Sequence, residues 1–184
     1  GWDQARGEYV AFLDADDEWL PRKLELQTEL LADNPDLVWC ASNLIHCSCQ
    51  QNRQGPAMNP KKAEELLKGR NRLSNFFEAQ LAGIPIYTIV LLIKREIIMK
   101  TGMFLPGMLL AQDLDLWYRI TYRWPEIGYI CEPLATYHMD IPGSNTRRYP
   151  CAERTCALVQ RHLELSAKHG RLEDYKPCAI AMVR

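Results

Sequence analysis

The sequence predicts an α/β fold in which helices flank a mixed, mainly parallel sheet. Two observations carry this. Residues 8–13 (Glu-Tyr-Val-Ala-Phe-Leu) form a short apolar run directly after Gly7, as a strand buried on both faces requires. Similar β-branched and apolar runs at 37–45, 86–94 and 127–137 alternate with segments of helical periodicity, which favours layers of helix on sheet.

Taken in order, the chain opens on what reads as the last turn of a helix stopped by Gly7, a start that suggests upstream sequence. After the strand at 8–13, a helix is expected over 21–32. Pro21 suits its first position, Leu20, Leu24, Leu30 and Leu31 supply its apolar face, and Asn34-Pro35 ends it. A strand over 37–45 follows, then a polar loop over 48–62 with Gly55-Pro56 and Asn59-Pro60. Helical stretches are expected at 63–68 and 73–82, a strand at 86–94, and a short helix at 95–101 closed by Gly102. A helix over 112–124 is stopped by Pro125, with Leu116, Ile120 and Trp124 as its core stripe. A last strand or pair of strands lies in 127–137, a polar loop in 141–149, and a long helix in 151–168 ending near Gly170.

Composition narrows the function classes. A hydrophobic fraction of 47% and a charged fraction of 24% suit a globular core. The formal charge of −1 lacks the basic excess of nucleic-acid binders. No apolar run reaches the roughly 18 residues of a membrane span. The seven cysteines have no framework spacing, so a reduced, cytoplasmic setting is the simpler expectation, in solution or peripheral at a membrane. Cys40, His46, Cys47 and Cys49 could bind zinc, but no second pair stands at finger-like spacing, and free thiols are the expected reading.

The chemistry concentrates after the first strand. Asp14, Asp16 and Asp17 fall where that strand should end, and ligands gather at such strand ends in α/β sheets. Three carboxylates in four residues repel one another, which calls for solvent or a hard divalent cation such as Mn²⁺ or Mg²⁺. A solvated turn with Asp17 capping the next helix is the plainer alternative. Asp113 is open in the same way, as a helix cap or as a proton acceptor. Asp115 and Arg119 stand four apart and would pair on the helix surface.

The run from Ala5 through Asp14-Ala15-Asp16-Asp17 to Trp19-Leu20-Pro21 closely resembles the DxD region of family 2 GT-A glycosyltransferases. Gln112-Asp113-Leu114-Asp115-Leu116-Trp117-Tyr118-Arg119 resembles that family's Glu-Asp-x-Asp-Leu-Trp-x-Arg motif, with Gln112 in place of the usual Glu. Lys94-Arg95-Glu96 with Gly102-Met103-Phe104 is similar to a third family segment, and Pro142-Gly143-Ser144-Asn145 to a closing loop. The resemblance covers roughly residues 1–148. It implies a single domain over 1–184, the C-terminal portion of a GT-A domain without its nucleotide-base-binding half. That portion divides into a DxD region at 1–40, an acceptor-side region at 41–148, and a C-terminal helix at 149–184.

The same resemblance implies metal-dependent, inverting transfer of a sugar from a nucleotide diphosphate donor to a glycan, lipid-linked or other acceptor. Asp14, Asp16 and Asp17 would hold the diphosphate, and Asp113 would take the acceptor proton. Asp16 and His138 would meet Mn²⁺ or Mg²⁺, Gln112 and Trp117 would face the acceptor, and Arg147 and Arg148 could grip the diphosphate. Two alternatives stand beside it. An aspartate-nucleophile phosphatase would need Gly and Thr where Asp17 and Glu18 stand. A truncated, inactive fragment would act as a binding or homo-oligomerising module.

Overall fold

The computed structural model describes residues 4–48, 50, 52–108, 111–141 and 151–183. Residues 1–3 of the expected helical turn at the start lie outside that set, as do Cys49, Pro142–Asn145, Arg147 and Arg148.

The strands are β1 (Tyr9–Ala11), β2 (Glu18–Trp19), β3 (Trp39–Ser48), β4 (Arg53–Pro56), β5 (Arg72–Leu73), β6 (Leu92–Lys94) and β7 (Ile127–His138). The helices are α1 (Lys23–Asp33), α2 (Pro60–Leu67), α3 (Phe76–Leu81), α4 (Arg95–Thr101), α5 (Gln112–Thr121), α6 (Cys151–Lys168) and α7 (Leu172–Val183). The sheet runs β1-β6-β3-β7-β2, with β4 added to β3 and β5 to β7. The mixed α/β class holds, but the sheet is not mainly parallel: among the described strands only β3 and β7 pair in parallel. The first strand lies antiparallel to β6 at the sheet's end and is half-buried.

Three departures from the sequence reading have local causes. The polar stretch at 48–62 is not all loop: β4 folds back on β3 as a hairpin, and Asn59-Pro60 begins α2. There Asn59 accepts the Lys61 amide at 3.0 Å, and Pro60 occupies a position whose N–H would have no helical partner. The chain beyond Gly170 forms α7, with Pro177 inside it.

The third departure bears on the site. Only the last residues of the expected strand at 86–94 are β6; Thr88–Val90 is a 3₁₀ turn. The run is apolar because it is deeply buried, Ile89, Val90 and Leu91 being at most 1% exposed. A buried turn leaves carbonyls without a ladder, and those must be satisfied elsewhere. Trp19 Nε1 donates to Ile89 O at 3.2 Å, Gln27 Nε2 to Val90 O at 2.7 Å, and Lys23 Nζ to Leu91 O at 3.5 Å. Of the expected leucine face Leu31 is buried and Leu30 packs beside it, but Leu24 is 44% exposed, and Lys23 and Gln27 complete the inner face of α1. Lys23 Nζ also donates to Gln27 Oε1 at 2.7 Å and lies 4.7 Å from the Trp19 ring centroid. Burial pushes its ammonium down to about 8.

Candidate active site

Asp14, Ala15, Asp16 and Asp17 make one tight turn, closed by the Asp17 amide donating to Asp14 O at 3.2 Å. The turn divides its carboxylates. Asp14 lines a cavity of about 690 Å³, within the usual range for small-molecule sites. Asp16 is exposed. Asp17 is buried, and instead of capping α1 it accepts the backbone amide of His138 at 2.9 Å, tying the turn to the end of β7. Burial raises the Asp14 carboxyl above its ordinary value, and the charges of Asp16 and Asp113 add to this. Asp17 is raised by burial against the opposing His138 amide.

Asp113 lines the same cavity. It occupies the second position of α5, after Ala111 at φ 55°, where Ala111 provides no side-chain cap. Its Oδ1 accepts the Leu114 amide at 2.8 Å and its Oδ2 accepts the Thr88 hydroxyl at 2.9 Å. The helix-start role and the cavity-facing position thus coexist in one carboxylate. Thr88 was not singled out in the sequence, because it sat inside a run that read as strand.

The other candidates are placed as follows. His138 has a buried Nδ1 without a hydrogen-bond partner among the described residues, as does Asp17 at Oδ2. Trp117 is 1% exposed, edge-on to Phe12 at 5.2 Å, and touches the cavity from within the core. Gln112 is exposed and is not among the residues lining the cavity. Among the described residues no three His, Cys, Asp or Glu side chains converge tightly enough to hold a metal by themselves. For the zinc alternative this is adverse: burial pushes the Cys40 thiol up to about 12, against the thiolate a metal needs. No helix among the described residues is long and apolar enough to cross a membrane.

The expected Asp115–Arg119 pair forms, but inside the protein. Asp115 is fully buried and accepts Arg119 Nε at 2.7 Å, Arg161 Nε at 2.7 Å and His162 Nε2 at 3.1 Å. Burial would raise its carboxyl, but the hydrogen bonds from His162, Arg161 and Arg119 outweigh burial and hold it well below the carboxylate range. The Arg119 guanidinium also donates to the carbonyls of Thr101 (2.9 Å), Gly102 and Met103 (2.8 Å), where α4 ends at Gly102 with φ 80°. One motif therefore joins α4, α5 and α6. Arg161 and His162 lie far along the chain, with no local signal to find them.

Comparison with known proteins gives the family. Residues 1–99, just over half of the chain, match the family described as glycosyl transferase family 2. The O-antigen biosynthesis protein RfbC of Myxococcus xanthus is 29% identical over 139 residues, covering 75% of this chain and 10% of RfbC. TuaG of Bacillus subtilis (strain 168), named as a teichuronic acid biosynthesis glycosyltransferase, is 28% identical over 163 residues, covering 88% of this chain and 58% of TuaG. The chain thus spans just over half the length of one relative and a tenth of the other.

Proposed function

The chain belongs to glycosyl transferase family 2, and from that premise we propose that it transfers a sugar from a nucleotide diphosphate donor to an acceptor hydroxyl with inversion. The observation that carries the reading is the shared cavity, a space of ligand size that both Asp14 and Asp113 line, near enough for their charges to interact. Inverting transfer needs a base on the side of the anomeric carbon away from the leaving diphosphate. Asp113 is that base: Thr88 and the Leu114 amide fix its carboxylate, and each oxygen keeps a further lone pair for the acceptor proton.

Asp16, Asp14 and Asp17 are the donor-side residues, with His138 beside them. Hard carboxylate oxygens suit Mn²⁺ or Mg²⁺, and the partnerless Asp17 Oδ2 and His138 Nδ1 fit an added charged group. Among the described residues too few side chains converge to enclose a cation, which fits ions that keep most of their shell for substrate phosphate. Bound there, the cation would supply Lewis-acid neutralisation of the departing diphosphate. Asp17 anchors the turn to β7, and Asp14 faces the donor sugar in the cavity it shares with Asp113.

Calorimetry with Mn²⁺ and inorganic pyrophosphate, the part common to every such donor, tests the reading. Metal-dependent heat is expected from the wild-type chain and not from Asp16→Ala. Equal heats from both, or none from either, reject it. In an assay that turns over, Asp113→Asn should lower kcat by about 10²–10⁴ with donor affinity kept.

A further inference from the structure

The cavity shared by Asp14 and Asp113 has a third wall. His46 of β3, Tyr87 ahead of the 3₁₀ turn and Tyr137 near the end of β7 stand ring against ring there. His46 and Tyr87 are stacked at 5.7 Å and 30°, Tyr87 and Tyr137 edge-on at 5.2 Å and 73°, and His46 and Tyr137 edge-on at 6.1 Å. His46 Nε2 and the Tyr87 hydroxyl are hydrogen-bonded at 3.2 Å. Tyr87 is 38% exposed, unlike Tyr118, Tyr129 and Tyr175, which are almost wholly buried. Its chain neighbour Thr88 is the residue that holds Asp113. The Tyr87 ring thus belongs to the residue next to the one that holds the candidate base, and all three line the same cavity.

The wall's chemistry selects the ligand. Its rings offer flat faces of negative potential to the axial C–H groups of a pyranose, and Tyr87 and His46 offer polar tips to its hydroxyls. Burial lowers the His46 imidazole from its ordinary value, so near neutral pH the ring is uncharged, with one donor and one acceptor. No described lysine or arginine lines the cavity, and its charged groups are two carboxylates, so an anionic acceptor, unlike a donor diphosphate neutralised by its cation, would be repelled. A second cavity of about 570 Å³ shares His46 and Ala57 with the first and is lined by Asn52, Gln54 and Met139.

We propose that His46, Tyr87 and Tyr137 form the acceptor subsite and bind a neutral saccharide of at least two rings. One ring lies on the aromatic wall beside Asp113, and the next reaches the amides of Asn52 and Gln54. The proposal rests on the transferase reading for the word acceptor, and it replaces Gln112 and Trp117 as the acceptor contacts.

Saturation-transfer NMR on the full chain tests it, using glucose, galactose and N-acetylglucosamine with cellobiose, lactose and N,N′-diacetylchitobiose. At least one sugar should receive saturation on its ring C–H protons, and its disaccharide should bind several-fold more tightly than the monosaccharide. Tyr87→Ala should weaken that binding by about tenfold, and Tyr87→Phe, which keeps the ring, by much less. Should Tyr87→Ala fail to melt cooperatively, Tyr87→Leu keeps the apolar bulk without the ring and is expected to bind as weakly. Gln54→Ala should weaken only the disaccharide. No saturation of any sugar by folded wild-type protein overturns the proposal, as does undiminished binding to a folded ring-deleted variant or a disaccharide no tighter than its unit. The manganese–pyrophosphate heat separates the two readings. Heat retained while sugars fail to bind removes the subsite alone, and sugars bound without that heat remove the transferase reading alone.

Discussion

The Thr88 hydroxyl donates to Asp113 Oδ2 at 2.9 Å, so the candidate base is held by a residue of the buried turn before β6. A base held in one orientation loses effectiveness when its support goes, because small misplacements are costly to proton transfer. Thr88→Val keeps the shape and removes the donor. It should lower kcat by about 10–100-fold while leaving the donor KM near wild type. A rise in KM with kcat unchanged would mean that Thr88 supports binding and not the base.

The turn that carries Thr88 depends on α1. Lys23 and Gln27 satisfy the Leu91 and Val90 carbonyls, at the cost of burying an ammonium that has no carboxylate partner among the described residues. Its folded value of about 8 lies below the ordinary 10.5, so between those values the unfolded chain binds more protons. Stability from this residue therefore rises as pH climbs from about 8 to 10, by at most about 1.4 kcal/mol per unit. Denaturant titrations of wild type minus Lys23→Met should show that slope. A difference flat with pH would show that Lys23 sits in water.

Lys23, which the apolar pattern passed over, marks how far the sequence could be read. The order of strands and helices was visible because burial leaves runs such as 8–13 and 37–45, and α4 was legible to its ends through Gly102. Strand direction was not, since a buried antiparallel strand such as β1 carries the same apolar run as a parallel one. Continuous apolarity at 86–94 likewise reports burial, not strand, and only the facing carbonyls explain a polar stripe on α1. Clustering and motif singled out Asp14, Asp16, Asp17 and Asp113, but did not show that Asp14 and Asp113 line one cavity while Asp17 is buried. His46, Tyr87 and Tyr137 were not legible, because three separate elements bring them together.

The Asp115 network gives the third prediction. His162 Nε2 faces Asp115, and its Nδ1 lies 2.8 Å from the Tyr122 hydroxyl, an arrangement satisfied by a neutral ring protonated on Nε2. Burial lowers His162 despite Asp115, so its contribution is present above the unfolded value near 6.5 and is lost as pH falls below it. Asp115 is depressed, and its contribution is lost only below about 4. Asp115→Ala leaves Arg119, Arg161 and His162 without their acceptor and should cost about 3–5 kcal/mol. Chemical denaturation at pH 7.5 checks the size; a loss under about 1 kcal/mol would mean that water replaces the carboxylate.

The last prediction concerns the sheet's two ends. At one end β2 has two residues, one of them Glu18, and short charged edges resist pairing. At the other, β1 pairs on one side with β6, Tyr9 opposite Lys94 and Ala11 opposite Leu92, and among the described strands none lies on its other side. Tyr9, Val10 and Ala11 carry no charge, and the next-but-one residue, Leu13, is 50% exposed. An unprotected edge with apolar neighbours templates another strand. The chain alone should therefore associate through β1 as a dimer or larger species. Light scattering after size exclusion, across a hundredfold range of concentration, reads the mass directly. Association should strengthen with concentration and weaken in Val10→Lys, which puts a charge in the middle of the edge. A uniform mass of 21.3 kDa at every concentration would show that the chain covers this edge itself.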